Sequence, residues 1–339
     1  MKSVCSSCDG VYTLSSGSIA VLLATYNGSK YLIELLDSLL HQTYTDFVCF
    51  IHDDCSSDGT DQIAEEYCKN HPEQFIYTGS SRIGGAKQNF LWLLAHVEAD
   101  YIMFCDQDDV WFSKKIEKEY RVMKRAEIQA HGEVGKISAL PILVYSDLAV
   151  TDENLNVIGQ SFYTYTHIYR SNSLNDLLYH NVCAGCTILI NRSLRELSLT
   201  RLSKKIVDKI HMHDWYLALL ARCRGRLIFI NEPLIYYRQC SQNVIGAKQK
   251  SFHNTIRNIG NPKALKKSWD TNKDNAEAIL YVIGYDDPNA KSVRKFIRVQ
   301  SKPYLIRFMD YCIWRLRMEM NIINRNNKLH IGESIDHVA

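Results

Sequence analysis

The chain is 339 residues long, 46% hydrophobic and 23% charged, with a formal net charge of +3. That length accommodates one large α/β domain with an appendage, or two domains. Eleven cysteines, an odd number, do not read as a disulfide framework, and no run approaches the roughly 18 apolar residues that span a bilayer, so the expectation is a cytoplasmic protein, soluble or peripheral on the inner face of the cell membrane.

Charge is unevenly placed. Residues 248–339 hold 17 Lys/Arg against 9 Asp/Glu, whereas residues 1–247 hold 23 against 28. The expected organisation is a disordered, Ser-rich leader over 1–17, a main body over 18–247 and a basic, mainly helical region over 248–339.

In chain order, Ile19 to Ala24 is a continuous apolar run, the mark of a strand buried on both faces, and it ends in the turn Thr25-Tyr26-Asn27-Gly28. Leu32, Leu35, Leu36, Leu39 and Leu40 then recur at helical spacing. A second strand, Phe47 to Ile51, runs into the polar stretch His52 to Thr60, and a helix carrying Ile63, Ala64 and Tyr67 ends before Pro72. A short strand near Phe75–Tyr77 and a helix with Phe90, Leu93, Leu94 and Val97 inward lead to a strand at Tyr101–Cys105. Such alternation predicts a parallel sheet with right-handed crossovers. Its polar loops gather at the carboxyl edge, where ligands of open α/β sheets bind.

Asp106-Gln107-Asp108-Asp109 sits at the tip of that last strand. Unpaired, three adjacent carboxylates repel one another and raise their own pKa values. A hard divalent cation, Mg²⁺ or Mn²⁺, holds such a set together, and the alternative is a solvated acidic turn ahead of the next helix. Asp54 could accept from a base N–H and Tyr26 could stack on the base, although a helix cap and ordinary packing account for the same residues. No Gly-x-Gly-x-x-Gly follows the first strand, and no Walker loop is present.

Further along, Ile142–Leu148 reads as a strand, Tyr163–Tyr169 as an aromatic loop suited to sugar faces or to a packed lid, and Cys186–Ile190 as another strand. Asp214, between His213 and Trp215, opens an apolar helix whose dipole favours the ionised carboxylate; the alternative is a simple cap. Leu227–Ile230 and Leu234–Tyr237 close the body as strands, followed by Arg238, a candidate electrostatic clamp. In the tail, basic residues from Lys291 to Arg317 interleave with Phe296, Tyr304, Phe308, Tyr311 and Trp314. That pattern suits either contact with an anionic bilayer surface or packing on the body; no nucleic-acid recognition motif accompanies it.

Taken together, Ala24-Thr25-Tyr26-Asn27-Gly28, the run Asp53 to Thr60, Asp106-Gln107-Asp108-Asp109-Val110-Trp111 and His213-Asp214-Trp215 resemble the family 2 glycosyltransferases of the GT-A fold, from about Ile19 to Gly246. The wording of Met212–Ala221 and Tyr237-Arg238-Gln239 is similar to bacterial polysaccharide rhamnosyltransferases. The resemblance implies a Rossmann-like, mostly parallel sheet flanked by helices, and an inverting transfer of a sugar, rhamnose first, from a nucleotide-diphosphate donor to a glycan or lipid-linked glycan. It implies that Thr25, Tyr26, Asn27, Asp54, Lys87, Asp106, Gln107, Trp111 and Arg238 hold the nucleotide sugar. Asp106, Asp108 and Asp109 would serve Mg²⁺ or Mn²⁺, Asp214 would be the general base, and His213 and Trp215 would meet the acceptor. One departure is Cys240, where many relatives carry histidine. The competing readings are transfer of galactose, glucose or an N-acetylhexosamine, a metal-dependent nucleotidyltransferase, and a catalytically silent sugar-nucleotide binder.

Overall fold

The computed structural model describes residues 5–6, 10–134, 140–240 and 261–333. Residues 241–246, the end of the family resemblance, and 248–260, the start of the basic region, lie outside them.

Eight strands form the backbone of one sheet: β1 (Ile19–Thr25), β2 (Phe47–Asp53), β3 (Phe75–Ser80), β4 (Tyr101–Asp106), β5 (Val110–Trp111), β6 (Ile142–Thr151), β7 (Ile188–Asn191) and β8 (Arg226–Arg238). Their order is β3-β2-β1-β4-β7-β6-β8-β5, with Val157–Gly159 added beside β6. The first four are mutually parallel, as the alternating pattern predicts. β7 then enters antiparallel to both β4 and β6, and β8 runs parallel to β6. The sheet is therefore a parallel half joined to a mixed half.

Register places the reactive edge. Thr25 lies opposite Asp53, and Ala24 opposite Asp106, so three strands end at one level with their polar tips side by side. Alternate residues of each strand feed opposite faces. Leu22, Phe50 and Phe104 join one core with α3 (Ala86–His96) and α5 (His213–Arg224). Leu23, Ile51 and Cys105 join the other, with α1 (Leu32–Leu40), α2 (Thr60–Asn70) and α4 (Lys115–Val134).

One expectation about organisation changes, and one open alternative is decided. The leader is not wholly disordered: Tyr12–Thr13 pairs with Val97–Glu98, and Leu14 donates its N–H to the Glu98 carbonyl at 2.9 Å. Leu14 is buried, which supplies the apolar anchor that composition alone hides. The C-terminal helices α6 (Pro262–Ile283), α7 (Ala290–Gln300) and α8 (Tyr304–Glu333) pack onto the body. Ala276, Ile279, Val293 and Phe296 belong to the same core as Leu22 and Phe104. Among the described residues no helix is long and apolar enough to cross a membrane.

Candidate active site

The three tip loops interlock through side chain–backbone hydrogen bonds. Gln107 clamps Tyr26, accepting from its N–H and donating to its carbonyl, each at 2.8 Å. This needs Gly28, because a Cβ there would lie 2.4 Å from the Gln107 side chain. Asn27 donates its N–H to the Ser56 hydroxyl at 2.8 Å and accepts from the Ser57 N–H at 2.9 Å. Asp53, fully buried, organises the centre: it accepts from the Thr25 hydroxyl, the Ser56 N–H and the Ser80 hydroxyl at 2.7–2.9 Å. Tyr26 is left with half its surface open, beside this platform.

Asp54 is already engaged. Its carboxylate accepts from the backbone N–H groups of Ile83, Gly84 and Gly85 at 2.5–3.0 Å. Burial pushes its pKa up, but those N–H groups outweigh burial and hold it below the usual carboxylate value. A carboxylate has about four acceptor sites, and the Gly84 N–H reaches both oxygens, so these contacts occupy them.

At the tip of β4, burial together with the charges of Asp108 and Asp214 pushes the Asp106 carboxyl up to about 7. Burial raises Asp108 as well, against a thiol contact from Cys240 at 3.4 Å. Asp109 is fully buried and raised well above its ordinary value, first by burial and then by its two acidic neighbours. One Asp109 oxygen accepts from the Arg238 N–H at 3.3 Å, and the other has no hydrogen-bond partner. Ligand atoms of Asp106, Asp109 and Cys186 lie within 4.8 Å of one another. A buried, partnerless oxygen among acids that push up one another's pKa values fits a divalent cation. In that grouping Cys186 stands where Asp108 was expected.

Asp214 lies close enough to Asp106 for their charges to act on each other. It sits in the first turn of α5 and accepts from the Trp215 N–H at 2.6 Å. Burial raises it to about 6, against the Trp215 N–H, the Asn181 side chain and the Gly185 backbone. A Cβ on Gly185 would come within 2.9 Å of the His213 ring, so glycine lets that segment close on the start of α5.

Other expected residues are built into the frame. Lys87 donates to the carbonyls of Val207 and Ile210 at 2.9 and 2.8 Å. The buried Trp111 ring carries Lys115 Nζ 4.3 Å above it. Arg238, expected as a clamp, is buried: it stacks 4.4 Å above Tyr31, pairs with Glu34 at 2.5 Å and donates to the Asp108 carbonyl at 2.9 Å. It therefore fixes the acidic loop from behind. His213 is wedged between Phe90 and Phe104, and burial lowers it to about 3, a neutral ring with neither nitrogen hydrogen-bonded. Trp215 is buried, donating to the Leu177 carbonyl at 2.6 Å. In the aromatic loop Tyr163 is a packed residue, its hydroxyl on the Val182 carbonyl at 2.6 Å.

Sequence reasoning missed Asp53, Glu34, Asn181 and Cys186. Asp53 carried a signal, being the first acid of the Asp53-Asp54 pair. Glu34 and Asn181 come from distant segments, and nothing in their spacing marks them, whereas Cys186 follows Cys183 at the two-residue interval that thiolate metal ligands use.

The family model described as "Glycosyl transferase family 2" matches residues 20–195. The chain is 30% identical over 266 residues to the dTDP-rhamnosyl transferase RfbG of Shigella flexneri, covering 73% of this chain and 80% of that one. It is 22% identical to WfgD of Escherichia coli, named UDP-Glc:alpha-D-GlcNAc-diphosphoundecaprenol beta-1,3-glucosyltransferase, over 79% and 91% of the two chains. Among solved structures, residues 1–349 of S. aureus TarS in complex with UDP superpose with a TM-score of 0.52 at 18% identity, covering 83% of this chain and 69% of that one. The fold is thus that of the GT-A glycosyltransferases, and the chain belongs to glycosyltransferase family 2.

Proposed function

We propose that this enzyme is an inverting glycosyltransferase of cell-surface polysaccharide assembly. It would move a sugar, rhamnose before glucose or N-acetylglucosamine, from a nucleoside-diphosphate donor to a hydroxyl of a growing, lipid-linked glycan. The observation that carries the reading is that Asp214 lies near enough to Asp106 for their charges to act on each other, although 108 residues separate them in sequence. RfbG supports rhamnose, and the lipid diphosphate in WfgD's name supports the acceptor class.

In this reading the nucleoside lies over the interlocked loops, with Tyr26 under the base and the Thr25–Asp53–Asp54 tip holding the loops in shape. Asp106 and Asp109, with Asp108 beside them, would hold Mg²⁺ or Mn²⁺; when bound, the cation supplies electrostatic stabilisation for the departing diphosphate. Cys186 and Cys240 line the same acids. Asp214 accepts the proton of the acceptor hydroxyl as its oxygen attacks the anomeric carbon from the face opposite the leaving group. One displacement inverts that centre. A carboxyl with a pKa near 6 is well matched to such a base, because it is ionised at neutral pH yet basic enough to take a proton.

Incubating the protein with a panel of nucleotide sugars, a lipid-linked acceptor and Mn²⁺ tests the reading. The expected products are a nucleoside diphosphate and a glycoside of inverted configuration. Pyrophosphate would point instead to nucleotidyl transfer, and retained configuration would remove Asp214 from its role.

A further inference from the structure

The amino end of α5, which carries Asp214, is tied to α3 by two side chains of one helical face. Lys87 and Phe90 stand three residues apart near the start of α3, the spacing that makes helix neighbours. The Lys87 ammonium donates to the Val207 and Ile210 carbonyls at 2.9 and 2.8 Å. The Phe90 ring lies 4.3 Å from that of His213. Val207 belongs to the short helix Lys204–Lys209 and Ile210 caps it, so the ammonium sits at a helix carboxyl end, where a cation is favoured. Ile210 is buried, and three residues separate it from Asp214.

α3 itself is seated on the loops at the tips of β1 and β2. Asp54 accepts from the Gly84 and Gly85 N–H groups just ahead of its first turn, and the Asp54 N–H donates to the Thr25 carbonyl at 2.9 Å. Asn89 donates to the His52 carbonyl at 3.1 Å, and its Oδ1 meets the His52 ring at 2.8 Å. The helix is thus a strut, its foot on the loops proposed to receive the nucleotide and its flank on the entry to α5. The far side of that entry is held by Lys209, which pairs with Glu277 of α6 and lies 3.4 Å from Asp274.

The resemblance assigns Lys87 to the nucleotide sugar, but its contacts lead elsewhere. A lysine has three N–H donors, and here two carbonyls of the segment that delivers the chain to Asp214 receive them. We propose that Lys87 is a positioning residue for Asp214: by fixing the Val207 and Ile210 carbonyls to α3, it sets where α5 begins. It thereby sets where the Asp214 carboxylate stands relative to a donor held on the β1 and β2 tips. A displacement of about 1 Å caused far from the chemistry can cost about 10²-fold in rate. This role rests on Asp214 being the general base and adds the side chain that keeps it in register.

The test is a double-mutant cycle on the full chain, with donor binding read by calorimetry and turnover read at saturating donor. Lys87→Met is expected to keep the parent's donor affinity and to lose roughly tenfold or more in turnover, and Lys87→Arg, which can still donate to both carbonyls, to recover most of it. Added to Asp214→Asn, Lys87→Met is expected to cause no further loss, because the group it acts through is already gone. Should Lys87→Met fail to fold, Lys87→Gln carries the same expectations. Weakened donor binding with normal turnover overturns the proposal and gives Lys87 to the donor. Unchanged binding and turnover leave Lys87 a structural cap and equally overturn it, as does a loss that adds in full to that of Asp214→Asn. Near-normal transfer by Asp214→Asn alone removes the base, and this role with it, a failure read while Lys87 is intact.

Discussion

At the residue scale, the acids of this site do different work although their sequence context looks alike. Asp53 and Asp54 adjoin, yet one shapes the Ser56 turn while the other binds the amides that open α3. Burial is the largest cause of the raised pKa at both Asp106 and Asp214, reinforced at Asp106 by its acidic neighbours and only partly offset at Asp214 by the hydrogen bonds it accepts. With Asp214 near 6, transfer is expected to fall about tenfold for each unit of pH below that value, read from a pH–rate profile at saturating donor. A profile flat down to pH 5 would contradict the assignment. Gly28→Ala is expected to push Gln107 off Tyr26, since the added Cβ meets the amide at 2.4 Å. Donor affinity should then weaken, roughly 10-fold for the loss of about 1.4 kcal/mol of loop order, as measured by calorimetry. What the sequence could not disclose is which polar residues face inward. Arg238 and His213 read as ligands because Arg and His bind ligands, but their partners, Glu34 and Phe90, lie far away in the chain.

At the element scale, β1, β2 and β4 were legible because strands buried on both faces are apolar without interruption. The antiparallel entry of β7 was not, since Ile188–Asn191 has the same apolar run whichever way it points. α4 hides a second feature. Lys115 and Glu119 pair at 2.8 Å with both side chains fully buried, and Ser146 of β6 donates to Glu119 at 2.9 Å. The pair lies under Trp111, so it ties α4 and β6 to the strand just after the acidic loop. Removing one partner leaves a buried charge, which typically costs about 3–5 kcal/mol. Lys115→Ala is therefore expected to lose stability of that size in urea, whereas Lys118→Ala, which removes only a solvent-accessible ion pair with Glu232, is expected to change it by at most about 1 kcal/mol.

For the whole molecule, the division at 247/248 follows charge rather than packing. The basic region reads as separate because Lys and Arg dominate it, but its apolar residues, Ala276, Ile279 and Phe296 among them, complete the core under α5. Electrostatics at this scale gives a pH test. Asp106 near 7 and Asp214 near 6 both stand above the ordinary carboxyl value, so the folded chain holds more protons than the unfolded one. Stability from these groups is present below about pH 4 and is lost as pH rises through 6 and 7. A cation held at Asp106 replaces the proton of that carboxyl, so Mn²⁺ is expected to raise the thermal midpoint more at pH 8 than at pH 5. An equal shift at both values would argue against binding at these acids.

The most direct measurement compares Asp214→Asn with the parent in two assays, donor binding by calorimetry and transfer by product formation. The account predicts an unchanged dissociation constant for the nucleotide sugar and turnover reduced by about 10²–10⁴-fold. Near-normal transfer by Asp214→Asn would contradict it.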